Sequence, residues 1–299
     1  MDFNKSIQIA TSSSTFLNLN SITSSPSANK HFDGYVTQDV SFSNASIGGF
    51  IDPLAQRDGA EADLAIMGVR GIQMIVQVYG STIGAFNDNI NALNSALQPY
   101  PSFASANDGF RALDFYQPTV SYAAYSSTGI PVRLYVRPTA LPSYQINNDL
   151  FTPRVIGSVD RGLAATFRIG LMAKDPRKVC QTAVSGTFTS STATQTITNN
   201  GNYNAYPTFT LASTSPQSVT ISSAYFTASI LVSGTTASAT VVNSDTRVVT
   251  YAGSLNMSKV NATTTTFPFF VGGNNSVTVT PSSSWTGLTV SYTFNEAWL

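Results

Sequence analysis

The chain has 299 residues, of which 42% are hydrophobic and only 10% are charged. This combination argues against intrinsic disorder, which requires low hydrophobicity together with a high net charge. Fifteen lysines and arginines balance fifteen aspartates and glutamates, so no basic excess exists to neutralise phosphates and we expect no specific binding of nucleic acid. The length suggests two domains, at about 100–200 residues per domain.

A single cysteine, Cys180, excludes an internal disulfide, so folding does not require an oxidising compartment. Residues 1–5 lack the basic and apolar regions of a signal peptide. No apolar run approaches the ~20 residues of a membrane-spanning helix. We therefore expect a soluble protein that is made in a cytoplasm and does not insert into a membrane.

The distribution of charge locates a domain boundary. Only four charged residues lie between residues 181 and 299, namely Asp245, Arg247, Lys259 and Glu296. The preceding Asp175-Pro176 step also indicates a break, because a proline restricts the residue before it. We expect an N-terminal domain over residues 1–179 and a C-terminal domain over residues 180–299.

The N-terminal domain contains one helical pattern among several strand patterns. Apolar residues recur at helical spacing at Phe86, Ile90, Leu93 and Leu97. Asn87 or Asp88 can serve as the N-cap and Pro99 can end the helix, which predicts a helix over residues 87–98. Strands are predicted at residues 64–67, 72–79, 111–116, 132–136 and 163–171. The expected N-terminal domain is a β-sheet packed on a single helix.

The C-terminal domain is rich in Ser, Thr and Asn and contains the pattern of many short strands. In residues 286–294 apolar and polar side chains alternate with a period of two, as in a half-buried strand. Turn sequences such as Asn199-Asn200-Gly201 separate these segments. We expect an antiparallel β-sandwich, so the whole chain is predicted to be mainly β.

The sequence offers little catalytic or metal-binding chemistry. His31 is the only histidine and no G-x-S-x-G motif accompanies it, so we interpret it as a surface or interface residue. Asp58, Glu61 and Asp63 form the closest acidic cluster, but they lack the spacing of an EF-hand calcium loop and favour a solvated turn. We predict no enzyme activity, no bound metal and no cofactor.

Five arginines lie close together in the sequence: Arg133, Arg137, Arg154, Arg161 and Arg168. Arginine is enriched at protein interfaces because its planar guanidinium pairs bidentately and stacks on aromatic rings. A subunit interface is one interpretation, and ordinary surface arginines that pair locally are the other. Trp285 is a candidate for stacking on a ligand, although core or interface packing is favoured for both Trp285 and Trp298.

Three stretches carry a resemblance to a known family. The first is the strand–Gly–strand–helix unit from Ala65 to Leu97. The second is residues 167–176, which end in Ala173-Lys174-Asp175-Pro176, and the third is Asn199-Asn200-Gly201-Asn202 with Pro207. In this order they resemble the distal tail proteins of long-tailed, non-contractile phages (siphophages) over about residues 60–299, and the third stretch is the most specific. The family's usual Pro-Gly in the late turn is replaced by Gly272-Gly273.

The resemblance implies a structural role. It implies an N-terminal ring-forming domain and a C-terminal galectin-like (jelly-roll-like) sandwich, in a homo-hexameric ring at the end of the tail tube. The implied partners are the tail tube, hub and tape-measure proteins and a receptor-binding protein, and the implied location is the virion tail tip, assembled in the host cytoplasm. The alternative is a carbohydrate-binding module that contacts the host surface, for which Trp285 is the candidate residue.

Overall fold

The computed structural model divides the chain into two compact units, Met1–Pro176 and Arg177–Leu299. The boundary at Pro176 differs from residue 179 because Arg177 is bound within the C-terminal unit. Its Nη2 lies 2.7 Å from Asp245 Oδ1, and its guanidinium lies 4.8 Å from the ring centre of Tyr206. The structure describes residues 7–24, 32–44, 47–48, 51–53, 60–62, 66–99, 101–117, 129–145, 155–156, 159–160, 163–234, 238–261 and 265–299.

The N-terminal unit is built from strands and one α-helix. Its strands are β1 (Gln8–Ala10), β2 (Phe16–Asn18), β3 (Thr23–Ser24), β4 (Phe32–Phe42), β5 (Ile47–Gly48), β6 (Ile51–Pro53), β7 (Ala60–Ala62), β8 (Ile66–Met67), β9 (Arg70–Gly80), β10 (Arg111–Gln117), β11 (Ile130–Pro138), β12 (Ser143–Gln145), β13 (Val155–Ile156), β14 (Val159–Asp160) and β15 (Leu163–Ala173). The helix α1 is Ile83–Ala96, and Ser102–Asn107 forms a 3₁₀ turn.

Nine of these strands form an antiparallel sheet: eight follow the order β3-β4-β9-β15-β11-β10-β1-β2, and β12 also pairs with β15. Strands β9 and β15 pair along their full lengths, from Gly80 opposite Leu163 to Arg70 opposite Ala173. Because side chains alternate along a strand, one face of the sheet receives the apolar residues of both strands, and α1 packs on this face. The opposite side, which we call the outer face, carries the remaining residues of β9, β11 and β15.

The helix begins earlier than predicted. It starts at Ile83 instead of residue 87 and ends at Ala96 instead of residue 98. The N-cap is Thr82, whose Oγ1 accepts a hydrogen bond of 3.1 Å from the Ala85 N–H, so the prediction of Asn87 or Asp88 as the cap is wrong. The apolar pattern missed the first turn because Ile83 is exposed and does not contribute to the buried stripe.

A buried arginine caps the other end of the helix. The Arg111 guanidinium donates to the carbonyl oxygens of Ala96 and Gln98, where the helix dipole places negative partial charge. Burial lowers the pKa of Arg111 to about 10. The sequence had indicated only the start of a strand here.

Strands β4 and β9 continue beyond the sheet as a hairpin. Phe42 pairs with Ile72, and Ile47 with Met67 in the same register, while the ladder of Ile51 with Ala62 is shifted by one residue. We call the four described strands β5 to β8 the hairpin arm. Within the described ranges, β5 to β8 pair only with one another. Of the strand predicted at residues 64–67, Ile66–Met67 forms β8 of the arm, and residues 64–65 lie outside the described residues.

The C-terminal unit is an antiparallel β-sandwich of ten described strands. They are β16 (Lys178–Phe188), β17 (Thr194–Asn199), β18 (Thr208–Ser213), β19 (Gln217–Ser222), β20 (Thr227–Val232), β21 (Thr240–Asn243), β22 (Val248–Tyr251), β23 (Ser254–Leu255), β24 (Gly273–Pro281) and β25 (Leu288–Trp298), with 3₁₀ turns at Ser190–Thr192 and Met257–Lys259. One sheet has the order β23-β22-β21-β18-β25-β16 and the other β17-β24-β19-β20.

Apolar residues from both sheets form the core of the sandwich. Phe209, Phe270, Tyr292 and Phe294 make its aromatic centre, with the Phe270 and Phe294 ring centres 4.9 Å apart. The prediction of a mainly β chain is confirmed, and within the described residues no helix has the length and apolar composition needed to cross a bilayer.

Gly80 allows α1 to pack close to the sheet, because it has no side chain. A Cβ at this position would lie 2.4 Å from the Phe86 backbone nitrogen. We expect Gly80→Ala to lower the free energy of unfolding by about 1–3 kcal/mol, as overpacking does in other cores. Urea unfolding of the purified chain measures this. Gly84→Ala, on the exposed side of the same helix, is the control and should be neutral or stabilise by up to about 1 kcal/mol. Equal effects of both substitutions would contradict this packing.

Tyr35 links stability to alkaline pH. Its hydroxyl donates to the Asn89 carbonyl oxygen over 2.8 Å, and burial raises the pKa of Tyr35 to about 12, above the ordinary 10. A raised pKa favours the protonated form in the folded state. This stability is fully present below pH 10 and is lost as pH rises through 12. We expect the difference in unfolding free energy between wild type and Tyr35→Phe to shrink by about 2 kcal/mol between pH 9 and 12. A difference that is constant with pH would contradict the linkage.

Candidate subunit-interface surface

The outer face of the N-terminal sheet brings together three of the five predicted arginines. Arg133 and Arg137 lie on β11 and Arg168 lies on β15. Val136 pairs with Ala173 and both are buried, so the intervening residues of these strands point to the opposite side. Arg154 and Arg161 lie outside the described residues.

Arg133 is held by a local carboxylate. Its Nε and Nη2 donate to Asp114 Oδ1 and Oδ2, each over 2.7 Å, in a bidentate pair. The guanidinium also lies 5.7 Å from the ring centre of Phe16. The hydrogen bonds and the charge of Asp114 raise the pKa of Arg133. This arginine therefore pairs within its own chain, as the alternative interpretation expected.

Arg137 contacts two neighbouring groups of the same chain. Its Nη1 donates to the Asp108 carbonyl oxygen over 3.2 Å, and its guanidinium lies 5.2 Å from the Phe110 ring centre. The Lys174 ammonium lies 5.1 Å from the same ring. Two cations on one aromatic ring make this edge of the outer face positively charged.

Arg168 differs from the other two because no hydrogen bond or ion pair engages it in the part of the chain that the structure describes. It is exposed on β15, opposite Ile75 of β9 and Ser143 of β12.

Two tyrosines on the outer face were not identified from the sequence. Tyr135, between Arg133 and Arg137 on β11, is 46% exposed, and Tyr116 on β10 is 40% exposed. Tyrosine and arginine are the residue types that most often carry binding energy at protein interfaces. Arg133, Tyr135 and Arg137 are spaced two residues apart on one strand, so they share one face. This spacing was the sequence signal that could have identified Tyr135.

The Asn199-Asn200-Gly201 motif of the C-terminal unit joins three segments of the sandwich. Asn199 is fully buried, and its Nδ2 donates to the carbonyl oxygens of Tyr203 and Phe270 over 2.8 and 2.9 Å. Its Oδ1 accepts from the Gly201 N–H over 3.0 Å. A Cβ on Gly201 would lie 2.0 Å from the Ala297 carbonyl oxygen, so only glycine fits beside the last strand. The motif holds these segments together, and its side chains form no catalytic arrangement.

The remaining candidates have separate positions. Trp298 is buried on β25, while Trp285 is half-buried and packs against the sandwich core. His31, Asp58 and Asp63 lie outside the described residues, as does the Glu61 side chain. In the described ranges no three His, Cys, Asp or Glu side chains are grouped as metal ligands.

Comparisons with known proteins agree with this architecture. Residues 200–298 match the family model for the C-terminal domain of the siphovirus-type tail component. The crystal structure of the Dit protein (gp 19.1) of phage SPP1, described as a paradigm of hub adsorption apparatus in phages that infect Gram-positive bacteria, has a TM-score of 0.60. Its identity is 14%, over 89% of this chain and 94% of that chain. A structure of the phage P2 baseplate in its activated conformation with Ca gives a TM-score of 0.41 and 8% identity over 97% of both chains.

No curated protein sequence matches the chain. The predicted resemblance to siphophage distal tail proteins is thus supported over residues 200–298 by the family model, and the SPP1 Dit protein has a similar fold over most of the chain.

Asn199 provides a test of the motif. We expect Asn199→Ala to lower the free energy of unfolding by about 2–4 kcal/mol, because two buried carbonyl groups and one N–H lose their partner. Asn274→Ala is the matched control, since Asn274 is exposed and accepts a single hydrogen bond from Thr198. Its effect should stay within about 0.5 kcal/mol. Denaturant unfolding measures both, and an Asn199→Ala effect as small as that of the control would rule out the proposed junction.

Proposed function

We propose that this chain is a structural, non-catalytic subunit of a phage tail tip that forms a hexameric ring between the tail tube and the hub. The hairpin arm carries the proposal. An isolated two-stranded hairpin is marginally stable in water and needs a surface to pack on. Within the described residues its strands pair only with each other, so a neighbouring subunit is the natural cover.

Ring closure needs two different surfaces on each subunit. In a cyclic assembly, one patch of each copy contacts a second, unlike patch of the next copy. The hairpin arm is one candidate patch. The outer face, with exposed Tyr135 and Arg168, is the other, because exposed tyrosines and arginines favour contact with protein.

The two rims of such a ring are the proposed docking sites for other tail proteins. The tail tube is the proposed partner on one side, and the hub protein and the end of the tape-measure protein are those on the other. The C-terminal sandwich buries its own core and is suited to a peripheral position, where it can carry a receptor-binding protein. The proposed location is the tail tip of the virion, after assembly in the host cytoplasm.

The mass of the purified chain in solution tests the ring. The chain has a mass of 31.7 kDa, so light scattering should give about 190 kDa for six copies. We expect Arg168→Glu to shift the mass towards the monomer, because a carboxylate would replace the unpaired cation of the outer face. Arg247→Glu, an exposed arginine in a turn of the sandwich, is the matched control and should leave the mass unchanged.

The opposite pattern would count against the proposal. A chain that stays monomeric alone, and also when mixed with the tail tube protein, does not form the ring. A ring that survives Arg168→Glu but is lost with Arg247→Glu would place the interface on the sandwich instead.

A further inference from the structure

Arg70 is a buried cation at the end of the N-terminal sheet. It occupies the first position of β9 and is only 6% exposed. Its Nε is buried without a hydrogen-bond partner, and among the residues that the structure describes no ion pair or aromatic ring engages its guanidinium. Burial lowers the pKa of Arg70, because the charged form has lost hydration. The single chain therefore carries an uncompensated charge, which a carboxylate from another molecule would neutralise.

A second buried arginine on the same face of the sheet shows what Arg70 lacks. Arg70 pairs with Ala173, Ala173 with Val136, and Val136 with Arg111. The two arginines therefore lie in one row across the face on which α1 packs. In the described ranges, the end of α1 and the residues after it supply two carbonyl oxygens to Arg111 and none to Arg70.

Arg70 lies at the positively charged end of the sheet. Its partner Ala173 directly precedes Lys174 in the chain, and the neighbouring Met172 pairs with Arg137. Lys174 and Arg137 form the positively charged edge of the outer face. The outer-face patch proposed for ring closure thus ends beside the buried guanidinium.

The hairpin arm has the opposite charge. Residues 51–63, which include β6 and β7, contain one arginine and four carboxylates, namely those of Asp52, Asp58, Glu61 and Asp63. In the ladder of β6 with β7, Asp52 is the direct partner of Glu61. Like charges directly opposite each other destabilise a pair of strands, so a cation supplied from outside the arm would stabilise this ladder.

We propose that the guanidinium of Arg70 binds the carboxylates of Asp52 and Glu61 from the hairpin arm of a second copy of the chain. The proposal rests on the proposed ring and names the ion pairs that join one copy to the next. A guanidinium has five N–H donors and can serve two carboxylates at once. The contact is heterologous, because the arm of each copy supplies the anions and the sheet end of the next copy supplies the cation.

Arg70→Met tests the site with two measurements. In chain diluted to the monomer, the urea midpoint should stay equal or rise, because methionine fills the apolar position without an uncompensated charge. The protein concentration at which rings form, measured by light scattering, should rise by about tenfold or more. Arg111→Met is the matched control from the same row. It should lower the urea midpoint, because two carbonyl oxygens lose their donor, and leave the ring-forming concentration unchanged.

Mixing two variants tests which copy supplies each charge. The double variant Asp52→Asn/Glu61→Gln removes the anions and should raise the ring-forming concentration as Arg70→Met does. An Arg70→Met copy keeps its arm and a copy of the double variant keeps Arg70, so the mixture retains one intact contact. At a concentration where each variant alone is monomeric, the mixture should give pairs of about 63 kDa, twice the chain mass of 31.7 kDa.

The outcomes separate the ion pairs from the ring itself. A wild-type chain that never forms rings, alone or with the tail tube protein, contradicts both proposals. Rings that neither variant weakens leave the ring standing and overturn the ion pairs. A lower urea midpoint for Arg70→Met also overturns them, because Arg70 would then stabilise its own fold. Rings of Arg70→Met that form normally but fail to join tails would assign Arg70 to another tail protein instead of a second copy.

Discussion

The pairing of β9 with β15 is the constraint on which the N-terminal unit depends. The two strands match residue for residue over their full lengths, so the two-residue alternation of side chains cannot slip without turning the whole apolar set outward. One face is buried against α1, with Gly80 and Tyr35 fixing the approach of the helix. The outer face carries the alternate residues, among them Arg133, Tyr135 and Arg168.

The same register extends into the hairpin arm. The pairs of β5 with β8 keep the register of Phe42 with Ile72, while the pairs of β6 with β7 are shifted by one residue. In the ring proposed above, these strands would supply one of the two surfaces that each subunit needs.

Hydrophobic periodicity in the sequence predicted the strands and the helix in which apolar residues recur on one buried face. The strand at residues 72–79 and the apolar stripe of α1 are examples, because each buried position is visible in the sequence itself. The Thr82 cap and the Arg111 cap were not predicted, since both depend on contacts that a hydrophobic pattern does not record. The role of Asn199 also required the structure, as its partner Phe270 is distant in the sequence.

The arginine cluster allowed two interpretations, a subunit interface or local pairing. Spacing alone could not distinguish Arg133, which pairs with Asp114, from Arg168, which no described group pairs. Exposure of Tyr135 follows from its place on the outer face of β11, which is known only once the register is known. Trp285 was a candidate for ligand stacking from its residue type, and the structure shows it half-buried against the sandwich core.

In the proposed ring, other protein covers the outer face of the N-terminal sheet. Hydroxyl-radical footprinting of Tyr135, read by mass spectrometry, tests it by comparing isolated chain, diluted to the monomer, with assembled tails. We predict that Tyr135 is modified readily in the monomer, where it is 46% exposed, and several-fold more slowly in tails. Equal modification of Tyr135 in both samples would contradict the account.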